Sequence, residues 1–140
     1  MKKFHLVWNE GLHALGIPSM DEEHRGLINL VNELSEAVAH GCDCELARQQ
    51  MKKILDFAAE HFAHEEALMR RHGFPDLGQH AAKHERLLRE ATNLMETLTP
   101  GHADRAVLIT AFLTDFAENH ILHEDRAISQ YFVERGIKAE

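Results

Sequence analysis

Histidine interrupts the apolar stripe of every helical segment in this 140-residue chain. The apolar residues recur every three or four positions, which is the period of an amphipathic α-helix. His61 and Glu65 stand one helical turn apart on such a stripe, and His80 and His84 do the same in the next segment. Because each pair faces the interior at one level of its helix, the fold must bring these polar side chains together.

Glycine and proline divide the helical pattern into four segments. The interruptions are Gly41, the stretch from Gly73 to Pro75, and the pair Pro100 and Gly101. The predicted helices span about residues 21–40, 44–72, 76–98 and 104–135, and residues 1–20 form an irregular N-terminal arm. Short connections between helices of similar length predict an all-α fold, an up-down-up-down four-helix bundle. At this length, residues 1–140 are predicted to form a single domain.

The composition excludes several classes of partner. A net charge of −8 at pH 7 disfavours binding to nucleic acid or to an anionic membrane. No apolar run approaches the roughly 20 residues that a membrane-spanning helix needs. The first ten residues contain two lysines but no sustained apolar segment, so no signal peptide is predicted. We therefore expect a cytoplasmic protein.

The inward-facing polar residues indicate a metal centre. They are His24, His61, Glu65, His80, His84 and His120, with a carboxylate close to the last histidine. Burying each of them without a partner would cost about 1–3 kcal/mol, and a bound metal removes these costs together. Five imidazoles exceed the four ligands of a structural zinc site. Five histidines with two carboxylates therefore favour two metal ions that share bridging carboxylates.

The last helix leaves the second carboxylate open. Glu124 follows His120 by four residues and lies on the same face of an ideal helix. Asp125 follows by five residues and is rotated by roughly 140°, so it reaches the site only through a local distortion such as a π-bulge. His123 follows His120 by three residues, and we expect it either to hydrogen-bond to a ligand or to be exposed to solvent.

An ordered set of motifs resembles the bacterial hemerythrins, which are non-haem di-iron proteins that bind dioxygen. The resemblance covers residues 8 to about 132. Its motifs are Trp8, residues 16–24 ending in His24, residues 61–69 from His61 to Met69, Phe74 with Pro75, His80 with His84, and residues 120–125. Such an order over nearly the whole chain is a specific signal.

The resemblance implies a role for each ligand. His80, His84 and His120 would hold one iron ion, and His24 and His61 would hold the other. Glu65 and Asp125 would bridge the two ions beside an oxo or hydroxo group, which selects Asp125 over Glu124. In this arrangement the second iron has one imidazole fewer and keeps an open position.

Dioxygen would bind at that position as hydroperoxide. Two Fe(II) ions would each give one electron and the bridging hydroxide would give its proton, so the total charge would not change. We therefore expect reversible dioxygen binding for transport, storage or delivery, and no enzymatic role beyond weak peroxidase or oxidase activity. The alternative function is an oxygen or redox sensor. The candidate partners are an oxygen-consuming enzyme or a separate signalling protein.

An apolar pocket should surround the bound oxygen. Its predicted walls lie within four residues of a ligand and are Leu27, Phe62, Leu87, Phe116 and Ile121. Three positions depart from the pattern that the family usually shows. Phe116 replaces tryptophan, Glu23 replaces a frequent glutamine before the first histidine, and Ile128 stands where an aromatic residue is frequent. These departures affect the pocket and leave every ligand in place.

Overall fold

The computed structural model of the protein describes residues 14–41, 44–98, 105–117, 119–120 and 125–138. Within residues 105–117, the side chains at 105–107, 110 and 114 are not described. Several predicted features lie outside the described residues. They are Trp8 and most of the N-terminal arm, the pocket residue Ile121, and the residues His123 and Glu124.

Five α-helices occupy the described residues. They are α1 (Pro18–Ala39), α2 (Cys44–Arg71), α3 (Leu77–Thr97), α4 (Arg105–Asp115) and α5 (Arg126–Glu134). None of the helices in this part of the chain is both long and apolar enough to cross a membrane. Gly41 and Gly73 follow α1 and α2 with φ of 76° and 67°, a left-handed conformation that ends a helix and favours glycine. The first two helix breaks therefore fall at the predicted glycines, while Pro100 and Gly101 lie outside the described residues.

The first helix begins at Pro18, three residues before the predicted start at Asp21. Proline suits the first turn of a helix because its missing N–H needs no partner there. Asp21 lies inside that turn and does not cap it. Its carboxylate instead accepts hydrogen bonds from the backbone N–H groups of Leu15 and Gly16, at 2.7 and 3.3 Å. The aspartate thereby holds the end of the N-terminal arm against the helix.

Two apolar clusters fill the interior, and the ligand candidates lie between them along every helix. The first cluster contains Leu27, Phe62, Leu87 and Phe116 among others. The second contains Met20, Met69 and Ile128, with Leu77 packed against it. The chain passes from the second cluster to the first in α1 and α3, and in the reverse direction in α2 and from α4 to α5. This alternation, with α1 on α2, α2 on α3, and α4 on both α1 and α3, is the predicted up-down-up-down bundle.

The last predicted helix, 104–135, is not continuous. Helix α4 ends at Asp115, residues 116–117 and 119–120 have π-helical backbone, and α5 begins at Arg126. The N–H of Asp125 donates to the carbonyl oxygen of His120 at 3.1 Å, five residues back. A bond across five residues is the π-helical pattern, and it adds a residue to the turn. The distortion brings Asp125 onto the face that His120 occupies.

Candidate metal centre

Seven polar side chains converge in the layer between the two apolar clusters. All seven are buried, and they are His24, His61, Glu65, His80, His84, His120 and Asp125. Helix α1 supplies the first, α2 the next two, α3 the following pair, and the π-helical turn with the residue before α5 supplies the last two. The structure thus brings together the seven residues of the ligand set that the resemblance implies, while the alternative carboxylate Glu124 lies outside the described residues. Among the described residues, the carboxylate beside His120 is that of Asp125, five residues further along the chain.

Two carboxylates divide the centre into unequal halves. On one side, which we call the three-histidine half, Glu65 Oε1 lies against the Nε2 atoms of His80 and His84, the second at 3.1 Å. Asp125 Oδ1 lies 3.0 Å from His80 Nε2 and 3.4 Å from His120 Nε2. Each carboxylate therefore presents one oxygen to this group of three imidazoles.

The remaining oxygens face the two-histidine half, formed by His24 and His61. Glu65 Oε2 lies 3.2 Å from His61 Nε2 and 3.8 Å from His24 Nε2. Asp125 Oδ2 lies 2.8 Å from His24 Nε2 and 4.0 Å from His61 Nε2. Because each carboxylate spans both halves with separate oxygens, Glu65 and Asp125 have the positions that bridging ligands require.

The donor atoms fit a pair of metal ions. Within each half, one ligand atom from every residue lies within 4.8 Å of the others. Among the described residues, no hydrogen-bond partner of good geometry reaches His24 Nε2, His61 Nε2 or Glu65 Oε2, or either carboxylate oxygen of Asp125. Buried polar atoms without partners are costly and rare in folded proteins. Imidazole nitrogen and carboxylate oxygen suit iron among other transition metals, and two such ions would satisfy these atoms together.

Two glutamates outside the ligand set orient the imidazoles. His61 Nδ1–H donates to Glu23 at 2.6 Å, and His84 Nδ1–H donates to Glu66 at 2.8 Å. In both rings Nε2 then faces the centre, where it can bind a metal ion once it carries no proton. Sequence spacing missed both roles because each contact joins two different helices. The available signal was a second glutamate next to a ligand, at Glu23 beside His24 and at Glu66 beside Glu65.

Electrostatic interactions hold protons on some of these imidazoles. Burial lowers the pKa of His61, but the carboxylates of Asp125, Glu23 and Glu65 outweigh burial and raise that pKa to about 11. Burial opposes the same effect at His80, where Asp125 and Glu65 raise the pKa to about 10. Burial also raises the pKa of Glu65, yet the four imidazoles around it bring the pKa well below its usual value. The metal-free centre is thus an ion-pair cluster of protonated imidazoles and carboxylates.

We expect metal binding to release protons at neutral pH. In the metal-free protein His61 and His80 are doubly protonated and positively charged at pH 7, because this pH lies well below their pKa values of about 11 and about 10. Both imidazoles must be neutral to bind a metal, so anaerobic addition of Fe(II) should release at least two protons per chain, and Fe(II) should bind more tightly as the pH rises. A pH indicator in weakly buffered solution measures the release. Full metal loading without acidification would show that these imidazoles are already neutral.

The same pKa shifts affect stability in the metal-free protein. A histidine whose folded-state pKa is raised stabilises the fold fully below its unfolded pKa, near 6.5. That stabilisation is lost as the pH rises through about 10 at His80 and about 11 at His61. Metal-free protein should therefore lose thermal stability in this alkaline range.

Aromatic side chains pack directly beside the ligands. The ring of Phe62 is stacked on His84, with centroids 3.9 Å apart and planes 3° from parallel, and its centroid lies 5.2 Å from that of His120. Phe116 lies 6.3 Å from His120. Leu27 and Leu87 are buried in the same apolar cluster. That these four residues line an oxygen pocket stays a prediction, and the fifth, Ile121, is outside the described residues.

Comparison with known proteins identifies the family. Residues 15–132 match the sequence model of the hemerythrin HHE cation binding domain. A bacteriohemerythrin of Methylococcus capsulatus is 26% identical over 121 residues, which cover 86% of this chain and 92% of the relative. A bacteriohemerythrin of Stenotrophomonas maltophilia is 28% identical over 126 residues, covering 87% of this chain and 78% of the relative.

Solved structures agree with the observed architecture. Wild-type hemerythrin superposes with a TM-score of 0.73 at 22% identity, covering 89% of this chain and 95% of that one. A mutant of hemerythrin gives 0.74 with the same identity and coverage. At this level of identity, the structural likeness shows the fold alone.

Proposed function

This chain belongs to the hemerythrin family, and we propose that it binds dioxygen reversibly at a carboxylate-bridged pair of iron ions. The observation that carries the proposal is the division of the centre into unequal halves. Three imidazoles face one oxygen of Glu65 and of Asp125, and two imidazoles face the other oxygen of each. In a centre of this kind, the metal ion in the two-histidine half has fewer protein ligands than the ion in the three-histidine half.

The residues of each half have distinct tasks in this proposal. His80, His84 and His120 would hold one iron, and His24 and His61 would hold the other. Glu65 and Asp125 would join the ions, together with an oxo or hydroxo bridge. Because the two-histidine half has one imidazole fewer, a small exogenous ligand would bind there.

A pair of Fe(II) ions held by these residues would supply the two electrons that dioxygen takes up when it binds and returns when it leaves. The chain supplies the surroundings that keep this exchange reversible. The carboxylates of Glu65 and Asp125, both buried, would offset part of the charge of the bound metal ions. Phe62, Phe116 and Leu27 pack around the ligand layer and exclude water, which would otherwise provide protons for the loss of a reduced oxygen species.

The buried position and apolar surroundings support a carrier, store or source of oxygen rather than an enzyme. In this proposal dioxygen is the small molecule that the protein binds and releases, and the protein partner is an oxygen-consuming enzyme. Signalling or weak peroxidase turnover would require the bound oxygen to react further instead of leaving unchanged.

Oxygen cycling tests the proposal. Iron-loaded protein is reduced without oxygen, exposed to air and returned to argon, while the absorption spectrum is recorded. We expect a charge-transfer band that appears in air, disappears under argon and survives repeated cycles, and no oxygen-dependent band in zinc-loaded protein. A band that forms once and does not reverse would overturn reversible binding in favour of an oxidase, a peroxidase or a redox sensor.

A further inference from the structure

Glu23 connects the two helices that supply the two-histidine half. It lies on α1, next to the ligand candidate His24, and its carboxylate crosses to α2. There Oε1 accepts a hydrogen bond from His61 Nδ1–H at 2.6 Å, and Oε2 accepts one from His64 Nδ1–H at 2.8 Å. The glutamate thus uses both oxygens, and one of them positions a ligand candidate.

The hydrogen bond fixes the direction in which His61 faces. With Nδ1–H donating outward to Glu23, the opposite ring atom Nε2 lies 3.2 Å from Glu65 Oε2. Rotation of the ring would break the contact with Glu23 and turn Nε2 away from the centre. A carboxylate on the far nitrogen also makes an imidazole a stronger donor to a metal.

His64 holds Glu23 in this position. His61 and His64 are three residues apart on α2, so both rings face the same side of the helix. The side chain of Glu23 is 27% exposed and that of His64 is 38% exposed, so the pair lies at the edge of the bundle. Because the two hydrogen bonds occupy both carboxylate oxygens, Glu23 cannot rotate into solvent without breaking its hydrogen bonds to both His61 and His64.

The other half of the centre depends less on a single support. It contains three imidazoles, and Glu66 contacts only one of them, His84. The two-histidine half has His24 and His61 as its nitrogen donors. Glu23 accepts a hydrogen bond from His61 and directly precedes His24 in the sequence. The loss of Glu23 should therefore affect this half much more than the three-histidine half.

We propose that Glu23, held in place by His64, is the positioning residue of the two-histidine half and sets the affinity of this half for its divalent metal ion. The inference rests on the proposed function only in that both halves hold a metal ion. Removal of a residue that supports a ligand weakens metal binding by roughly 10–100-fold, and here the loss should be confined to one of the two ions.

Cobalt titration of the metal-free full-length chain tests this inference. Co(II) is added without oxygen, binding is counted by equilibrium dialysis, and the visible absorption of bound cobalt is recorded. We expect two ions per chain in the original protein. In Glu23→Ala the first ion should bind as before and the second roughly 10–100-fold more weakly.

Three variants serve as comparisons. Glu22→Ala removes the same charge from the exposed neighbouring residue, so it should bind both ions normally. Glu23→Gln keeps an oxygen that can accept the bond from His61, so it should recover part of the lost affinity. Glu66→Ala should weaken the other ion, with a different change in the cobalt spectrum. Circular dichroism checks that each variant keeps its helices.

The outcomes separate the inference from the proposed function. Normal binding of both ions by Glu23→Ala would overturn the inference, and so would an equal weakening of both. In either case the proposed function would be unaffected, because the original protein still binds two ions. Fewer than two ions in the original protein would overturn both proposals.

Discussion

Glu65→Gln should leave the helical bundle folded and should abolish binding of both metal ions. The two carboxylate oxygens of Glu65 face different halves of the centre, with Oε1 beside His84 and Oε2 beside His61. An amide of the same shape offers one oxygen donor, and its nitrogen cannot serve as the second bridging atom. Because neither half keeps its full set of donors, the loss should extend to both ions.

The bundle should survive because the imidazoles can lose their protons. Glu65 contributes to the raised pKa of His61 and of His80, so these groups become neutral at pH 7 more readily when its charge is removed. Iron per chain after anaerobic loading and dialysis measures the effect, with helix content from circular dichroism. Glu60→Gln, at an exposed position on the same helix, is the matched control and should retain both ions. Loss of a single ion would show that Glu65 serves one half only.

Asp125→Ala should lose bound iron, whereas Glu124→Ala should keep it. Asp125 is fully buried, and its two oxygens lie 3.0 Å from His80 Nε2 and 2.8 Å from His24 Nε2. Removing this carboxylate deprives both halves of a donor and leaves the protonated imidazoles with less compensating charge, a type of loss that costs about 3–5 kcal/mol at buried ion pairs. Iron content and thermal unfolding of the metal-free proteins measure the two effects.

The comparison with Glu124 tests the π-helical turn. An ideal helix would place Glu124, four residues after His120, on the ligand face. The hydrogen bond from Asp125 N–H to the carbonyl oxygen of His120 instead gives that face to the fifth residue. Iron retained in Asp125→Ala and lost in Glu124→Ala would contradict this assignment.

The sequence predicted those features that depend on the helical period. An i, i+4 pair lies on one face of any regular helix, so His61 with Glu65 and His80 with His84 could be placed before the structure was known. The apolar residues around them indicated that this face is buried. Four such segments with short connections then left few arrangements other than a bundle.

Three features could not be predicted from that period. The π-helical turn changes the period itself, so spacing left Glu124 and Asp125 open, and only the resemblance favoured the aspartate. Contacts between helices have no fixed spacing in the chain, so the hydrogen bonds from His61 to Glu23 and from His84 to Glu66 became visible only in three dimensions. The start of α1 at Pro18 was missed because Asp21 resembles a cap but holds the preceding backbone.

The most direct test of the account is to count and distinguish the metal ions. Protein loaded with ⁵⁷Fe without oxygen would be analysed for iron per chain and by Mössbauer spectroscopy. We expect about two irons per chain in two different ligand environments, one for the half with three histidines and one for the half with two. A single iron per chain, or a preference for zinc with no bound iron pair, would contradict it.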